Sequence, residues 1–379
     1  MYFKYAILTC IIAIGCLPAP LFADVIVLTN RTGKAVSFQI KYQAGEKSVY
    51  TVPVKELVSI PVTGAVEIQF GAANAPQILQ VEPNSVCFFH QRDQEPLELN
   101  RIGFAADVVE KAVADVATDS DSKRQDTAAL KQSTDPPVAK ICTIPVKLFV
   151  DDEEPFVRKL WEARLRARLE RASEIFEQHC RVRFEVVGVD TWDSDNEVRQ
   201  FSKMLAEFER ESRVEPAALA IGFSSQRRIL QQQTRLGGTF APLRQHILIR
   251  EWSKNMGQGE RLEVLLHELG HYLGATHSPE NDSAMRPMLN DGKANLRSFR
   301  LGFDPVNTLV MCLVGDEIRE HNVRYLHELS PKTRKQLQSI YREIIKITPD
   351  EPATVRMLHL LEVGSPSKSS PPKSPTVPK

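Results

Sequence analysis

Residues 267–278 read His-Glu-Leu-Gly-His-Tyr-Leu-Gly-Ala-Thr-His-Ser, a stretch dense in metal-ligating and acid–base side chains. His267 and His271 are four residues apart, so on a helix they share one face and both imidazoles can reach a single tetrahedral ion. Glu268 follows the first of them. From there its carboxylate can take a proton from a water whose pKa a metal lowers towards about 7. Gly274 stands three residues past His271, where a helix must end if the chain is to turn back, and glycine accepts the left-handed conformation of such a turn. The turn brings His277 round as a third ligand. Three protein ligands and one open position make a catalytic zinc, whereas a structural zinc is closed by four. A bare HExxH arises by chance in roughly one chain of this size in a hundred. Requiring Gly274 and His277 at fixed offsets lowers that by a further factor of several hundred, on the order set by average residue usage.

The helix that must carry the first two histidines is announced by Glu260-Arg261-Leu262-Glu263-Val264-Leu265-Leu266, good helix formers with an apolar stripe. Upstream, the sequence predicts a strand over 144–150 and then a long helix in which Trp161, Leu165, Leu169, Ala172 and Phe176 recur at helical spacing. Its arginines, Arg158, Arg164, Arg166, Arg168 and Arg171, alternate with glutamates and read as a solvated face rather than a polyanion site. A strand over 183–189, a helix near 197–211 and strands near 219–223, 239–241 and 246–249 follow. Strands alternating with helices imply an α/β domain with a covered, mostly parallel sheet.

The rest of the chain divides by composition. Residues 24–101 alternate short β-rich runs such as Val25-Ile26-Val27-Leu28 with Gly, Asn and Pro turns, which predicts a small antiparallel β accessory domain. Residues 102–140 have linker composition, with a short helix near 106–117, and 349–379 read as a disordered Ser/Pro/Lys-rich tail. The catalytic domain is thus expected over 141–348. Residues 1–23 form an expected secretory signal peptide: Lys4, an apolar run over 6–17 closed by Pro18 and Pro20, and Ala23 before the cleavage point. That run is shorter than the roughly 20 residues of a membrane-spanning helix. The expected product is exported, whether secreted, periplasmic or attached at the cell surface, with no transmembrane span in the mature chain. Ala13-Ile14-Gly15-Cys16 offers a weaker lipoprotein alternative, with Cys16 acylated. Lys plus Arg and Asp plus Glu both total 48, so no net field recruits nucleic acid, and the expected partner is a protein or peptide substrate. Cys87, Cys142, Cys180 and Cys312 have no structural-zinc spacing and read as buried thiols or one or two bridges.

The zinc segment resembles the metzincin clan of metallopeptidases, whose HExxHxxGxxH signature is complete here. The clan's methionine-containing turn has its match in Ser283-Ala284-Met285-Arg286-Pro287, with Met285 at the matrixin position and Met288 as the less well-placed alternative. Gly237-Gly238-Thr239-Phe240-Ala241 is similar to the matrixin edge strand, Leu329-Ser330-Pro331 leading to Gln338-Ser339-Ile340-Tyr341 to the closing helix, and Val187-Gly188-Val189-Asp190-Thr191-Trp192 to the adamalysin branch. The likeness covers 143–345. It implies a metzincin-like α/β (α+β) catalytic domain with a twisted, mostly parallel sheet and an active-site helix. It further implies one catalytic Zn2+ on His267, His271 and His277, Glu268 as general base, Met285 beneath the metal, and a peptide lying along Gly238, Thr239, Phe240 and Ala241. There are departures. Residues 289–328, with a helix over 305–320, are longer than in a matrixin; no propeptide cysteine switch is present; His246 alone does not rebuild a structural zinc site; and no tyrosine follows Met285 closely enough to be a fifth ligand. The expected activity is zinc-dependent endopeptidase. The alternatives are a catalytically degenerate zinc-binding scaffold and a zinc hydrolase of non-peptide amides.

Overall fold

Period-two burial lays out the first part of the chain as eight strands: β1 (Asp24–Asn30), β2 (Val36–Lys41), β3 (Lys47–Val52), β4 (Leu57–Val62), β5 (Val66–Ala72), β6 (Ala75–Val81), β7 (Ser85–His90) and β8 (Glu98–Ile102). In the computed structural model, which describes residues 24–72, 74–92, 95–104, 140–226, 236–251, 256–296 and 299–363, they form two four-stranded sheets, ordered β4-β1-β7-β8 and β3-β2-β5-β6. The expected signal peptide, most of the linker with its short helix, and the chain beyond 363 lie outside the described residues. Phe38, Ile40, Ile68 and Phe70 of one sheet face Ile26, Leu28 and Phe89 of the other across a shared core, the packing of a sandwich.

The β unit departs from the purely antiparallel expectation. β1 and β7 run parallel, Ile26 opposite Ser85 and Asn30 opposite Phe89, because β2, β3, β5 and β6 make the other sheet before the chain returns alongside β1 in the same direction. Nor does β1 have a solvent face. Ile26 and Leu28 enter the sandwich core, while Val25 and Val27 point the other way into the core that lies beneath the histidines. An uninterrupted Val-Ile-Val-Leu run is what a strand buried on both sides requires.

The second part runs β9 (Cys142–Asp151), α1 (Arg158–Cys180), β10 (Val182–Trp192), α2 (Phe201–Glu211), β11 (Leu219–Ser224), β12 (Gly237–Gly238), β13 (His246–Arg250) and α3 (Gln258–Tyr272). Its five strands are ordered β10-β9-β11-β13-β12. β9 pairs in parallel with β10 and β11, and β11 with β13; only β12 is antiparallel to its neighbour. One face takes the apolar stripe of α1 (Trp161, Leu165, Leu169, Phe176) together with Leu265 and Leu269 of α3. The other takes Phe201, Met204, Leu205 and Phe208 of α2 against Phe149, Ala220 and Leu248. The arginine-rich α1 is not uniformly solvated. Arg168 is buried and paired with Glu251, and Arg164 reaches Glu154 at 2.9 Å, because Glu251, itself buried at the end of β13, needs guanidinium partners.

Three α-helices complete the described residues: α4 (Pro305–His321), α5 (Pro331–Ile347) and α6 (Pro352–Val363). α4 and α5 begin alike, an oxygen-bearing residue followed by proline at the first helical position, where no N–H is needed. Asp304 accepts from the Asn307 N–H at 3.0 Å and Ser330 from that of Thr333 at 3.3 Å. Leu309 to Val314 of α4 are buried all round, as a helix enclosed by other elements must be; α4 is wedged between β1 and β9. The third helix corrects the expected disordered tail. Thr354, Met357 and Leu361 of α6 are buried, and Leu358 packs against the same core. These positions follow the i, i+3, i+4, i+7 rule, so the helix has an apolar face that the Ser/Pro/Lys-rich composition farther on conceals.

Candidate metal centre and its cleft

α3 brings the first two histidines together. Its start is fixed by Glu260, whose carboxylate accepts from the Gly257 N–H at 2.8 Å and the Gly292 N–H at 3.0 Å. Its end is a Schellman turn: Ala275 N–H donates to Gly270 O at 2.9 Å and Gly274 N–H to His271 O at 3.1 Å, with Gly274 at φ +88°. Tyr341 of α5 seals the turn by donating to Gly274 O at 2.7 Å. Beyond it the chain is tied to α4, Thr276 N–H donating to Asn307 Oδ1 at 2.9 Å and Asn307 Nδ2 to Thr276 O at 2.8 Å. Those bonds hold His277 beside the helix. One ligand atom from each of His267, His271 and His277 falls within 4.8 Å of the others.

The hydrogen bonds select which nitrogens face inward. His267 Nδ1 meets Ala284 O at 2.9 Å and His271 Nδ1 meets Ala275 O at 2.8 Å. A carbonyl only accepts, so both Nδ1 atoms carry the proton and both Nε2 atoms are left with lone pairs. Those two Nε2 atoms stand 3.0 Å apart. Two lone pairs so close repel unless a cation lies between them, and tetrahedral zinc ligation at about 2.1 Å sets nitrogen ligands about 3.4 Å apart. Burial, reinforced by His271 and His277, pushes the His267 pKa well below the ordinary histidine range, which keeps the ring in the neutral form that a metal requires. The donor set therefore fits zinc.

Beneath the histidines, Met285 is fully buried, its Sδ so close to Gly270 that a Cβ there would lie 2.5 Å from the sulfur. Its turn is fastened to α3 by Arg286 on Glu263, both buried, and to the chain after His277 by Ser278 N–H on Met285 O at 2.9 Å. Met288, by contrast, is 70 % exposed and lines the opening above. Glu268 is buried beside His267, and a Cβ on Gly237 would sit 2.7 Å from its Oε1; β12 passes so close that only glycine fits.

A cleft of about 700 Å³ opens over the histidines, with Gly237, Thr239, Phe240 and Ala241 along one side and Pro287, Met288 and Leu289 along another. The strand expected over 239–241 does not form; the edge strand is Gly237–Gly238 instead. Pairing stops at Gly238 opposite Leu248, and the chain bends into Pro242, so Thr239 to Ala241 form cleft wall without a ladder and Gly238 lies behind it. Sequence reading missed Gly237, hidden in a Gly-Gly pair. It also missed Glu351, Arg356 and Met357, which its disordered tail absorbed; Pro352 followed by the α6 apolar spacing was the available signal. Ala353, Arg356, Met357 and Leu360 close the far side of the cleft. His246 lies elsewhere, its Nε2 3.0 Å from Ser212 O. The four described cysteines are buried free thiols, the first of the two readings the sequence left open.

The sequence model of metallo-peptidase family M12 matches residues 146–298. Among solved structures, archaemetzincin from Methanopyrus kandleri is similar at 13 % identity, over 50 % of this chain and 99 % of that one, with a TM-score of 0.31. A chaperone–substrate complex is similar at 9 % identity, over 78 % of this chain and 42 % of that one, with a TM-score of 0.35. Overlays this loose carry no argument about either chain. No curated protein matches. The segment bearing the three histidines is thus similar to metallo-peptidase family M12, whose sequence model matches it over residues 146–298.

Proposed function

We propose that the protein is a zinc-dependent endopeptidase in which His267, His271 and His277 hold one zinc and Glu268 is the general base. The observation that carries this is the inward convergence of three imidazoles, two of them fixed by carbonyls as Nε2 ligands. A zinc held there polarises a carbonyl and acidifies water. Glu268, buried beside His267 and against Gly237, takes the proton from the attacking water and returns it to the leaving amine. Thr239, Phe240 and Ala241 line the cleft where an extended peptide would lie, using backbone groups as an added strand does. Met285 packs under the histidines and holds Gly270 in place.

The test is metal analysis of the purified chain with digestion of a peptide library, alongside Glu268→Ala. One zinc per chain and cleavage that Glu268→Ala abolishes support the proposal. Zinc with no peptide cleavage, but turnover of small amides, would overturn the endopeptidase assignment. We further propose export with a mature N-terminus near Asp24. Asp24 Oδ1 accepts from Asn84 Nδ2 and Lys332 Nζ, both at 2.7 Å, so a chain that began at Asp24 would have its first side chain anchored in the fold. N-terminal mass spectrometry of protein from producing cells checks this; an acylated Cys16 would place the anchor there instead.

A further inference from the structure

Each of the three histidines has its Nδ1 engaged, but not by the same kind of group. His267 and His271 use backbone carbonyls inside the matched segment. His277 Nδ1 instead lies 3.0 Å from Glu351 Oε1, a carboxylate that arrives from beyond the closing helix α5. An imidazole N–H on a carboxylate makes a charge-assisted bond, stronger than one on a carbonyl. It fixes the tautomer and the ring plane and makes the other nitrogen a better donor to a metal.

Glu351 is itself held. The same Oε1 accepts from the Ala353 N–H at 3.0 Å, capping α6, while the Glu351 N–H donates to Thr348 O at 3.2 Å. α6 is anchored on one side by Met357 and Leu361 in the core and by Gln338 Nε2 on Leu361 O at 3.2 Å. On the other side Arg356 Nη2 reaches across the cleft to Phe240 O at 2.5 Å. The side chains of His277 and Glu351 are 27 % and 15 % exposed, too enclosed for the pair to count as an ordinary surface contact.

We propose that Glu351 is a positioning residue of the metal centre: it orients His277 for ligation through Nε2, which makes α6 part of the site although it lies outside the family match. This rests on the reading of His277 as a zinc ligand. Glu351 touches neither substrate nor metal.

The experiment measures zinc affinity of the full chain by chelator competition, and the visible spectrum of the Co(II)-substituted protein, for Glu351→Ser, Glu351→Gln, Arg356→Ala and His277→Ala. Serine can still cap α6 but cannot reach His277, so Glu351→Ser should bind zinc about 10- to 100-fold more weakly, with an altered Co(II) spectrum and an unchanged melting temperature of the metal-free protein. Glu351→Gln keeps an oxygen acceptor and should restore most of the affinity. Arg356→Ala, which frees α6 from Phe240 without touching Glu351, should bind zinc as wild type. Wild-type affinity and spectrum in Glu351→Ser, with zinc lost in His277→Ala, would overturn the positioning role alone. Wild-type affinity in His277→Ala would overturn the ligand reading beneath it.

Discussion

The stretch from Gln258 to Met285 and the stretch from Pro331 to Val363 face the same cleft, yet they reach it by different physics. In the first, the proposed ligands, the proposed base and the turn are near neighbours in sequence, and one Schellman turn at Gly274 does the folding-back. Helical periodicity and one left-handed residue are enough to draw it. In the second, Tyr341, Glu351 and Met357 act on atoms far from them in sequence: Gly274 O, His277 Nδ1 and the apolar core. Nothing local demands a tyrosine or a glutamate there. A metal site's ligands can thus be compact in sequence while the groups that hold them are not.

The comparison can be broken most forcefully at the ligands. His271→Ala removes one of the three proposed zinc ligands and should abolish stoichiometric zinc by metal analysis, together with peptide cleavage. Zinc retained at one per chain would mean that the compact stretch does not hold the ion. Glu268→Ala should keep the metal and the fold while kcat falls at least about a hundredfold, equivalent to about 3 kcal/mol on the barrier. Near-normal turnover would assign the proton transfer to another group. In the distant stretch, Met357→Ala empties core volume beneath the cleft and should cost about 2 kcal/mol of stability, read as a lower Tm with zinc content unchanged. An unaltered Tm would mean that α6 is only laid on the surface. The smallest effect sharpens the link between the two stretches: Tyr341→Phe strips the Gly274 carbonyl of its buried partner and should cost about 1 kcal/mol in chemical denaturation. No change at all would show the Schellman turn to be self-sufficient.

How far the molecule was legible follows from the same distinction. The α1 stripe, the β9 run, the α3 motif and the turn at Gly274 were visible because periodicity and helix termination are local signals, and Met285 because the metzincin resemblance carried it. The edge strand was misplaced, expected over 239–241 and found at Gly237–Gly238, since nothing in Gly-Gly-Thr-Phe-Ala shows that the bend before Pro242 ends pairing at Gly238. α6 was lost because the Ser, Pro and Lys residues after it dominate the composition of the window, although Pro352 and the spacing of Thr354, Met357, Leu358 and Leu361 were there to be read. The solvated reading of Arg168 failed because its partner, Glu251, comes from another element. The parallel β1–β7 pair was out of reach for a related reason: strand order is decided by which sheet the intervening strands join.

Val25 and Val27 on one side of β1, and Ile26 and Leu28 on the other, give that strand two masters. The N-terminal sandwich is therefore not a cassette that recombination could lift out and replace. Any exchange would have to carry β1 together with α4, which packs against β1, although the family-matched segment, residues 146–298, lies between them in the sequence. The long stretch after Met285, unlike that of a matrixin, would then be inherited as the counterpart of the sandwich, and heating should melt the two in a single calorimetric transition.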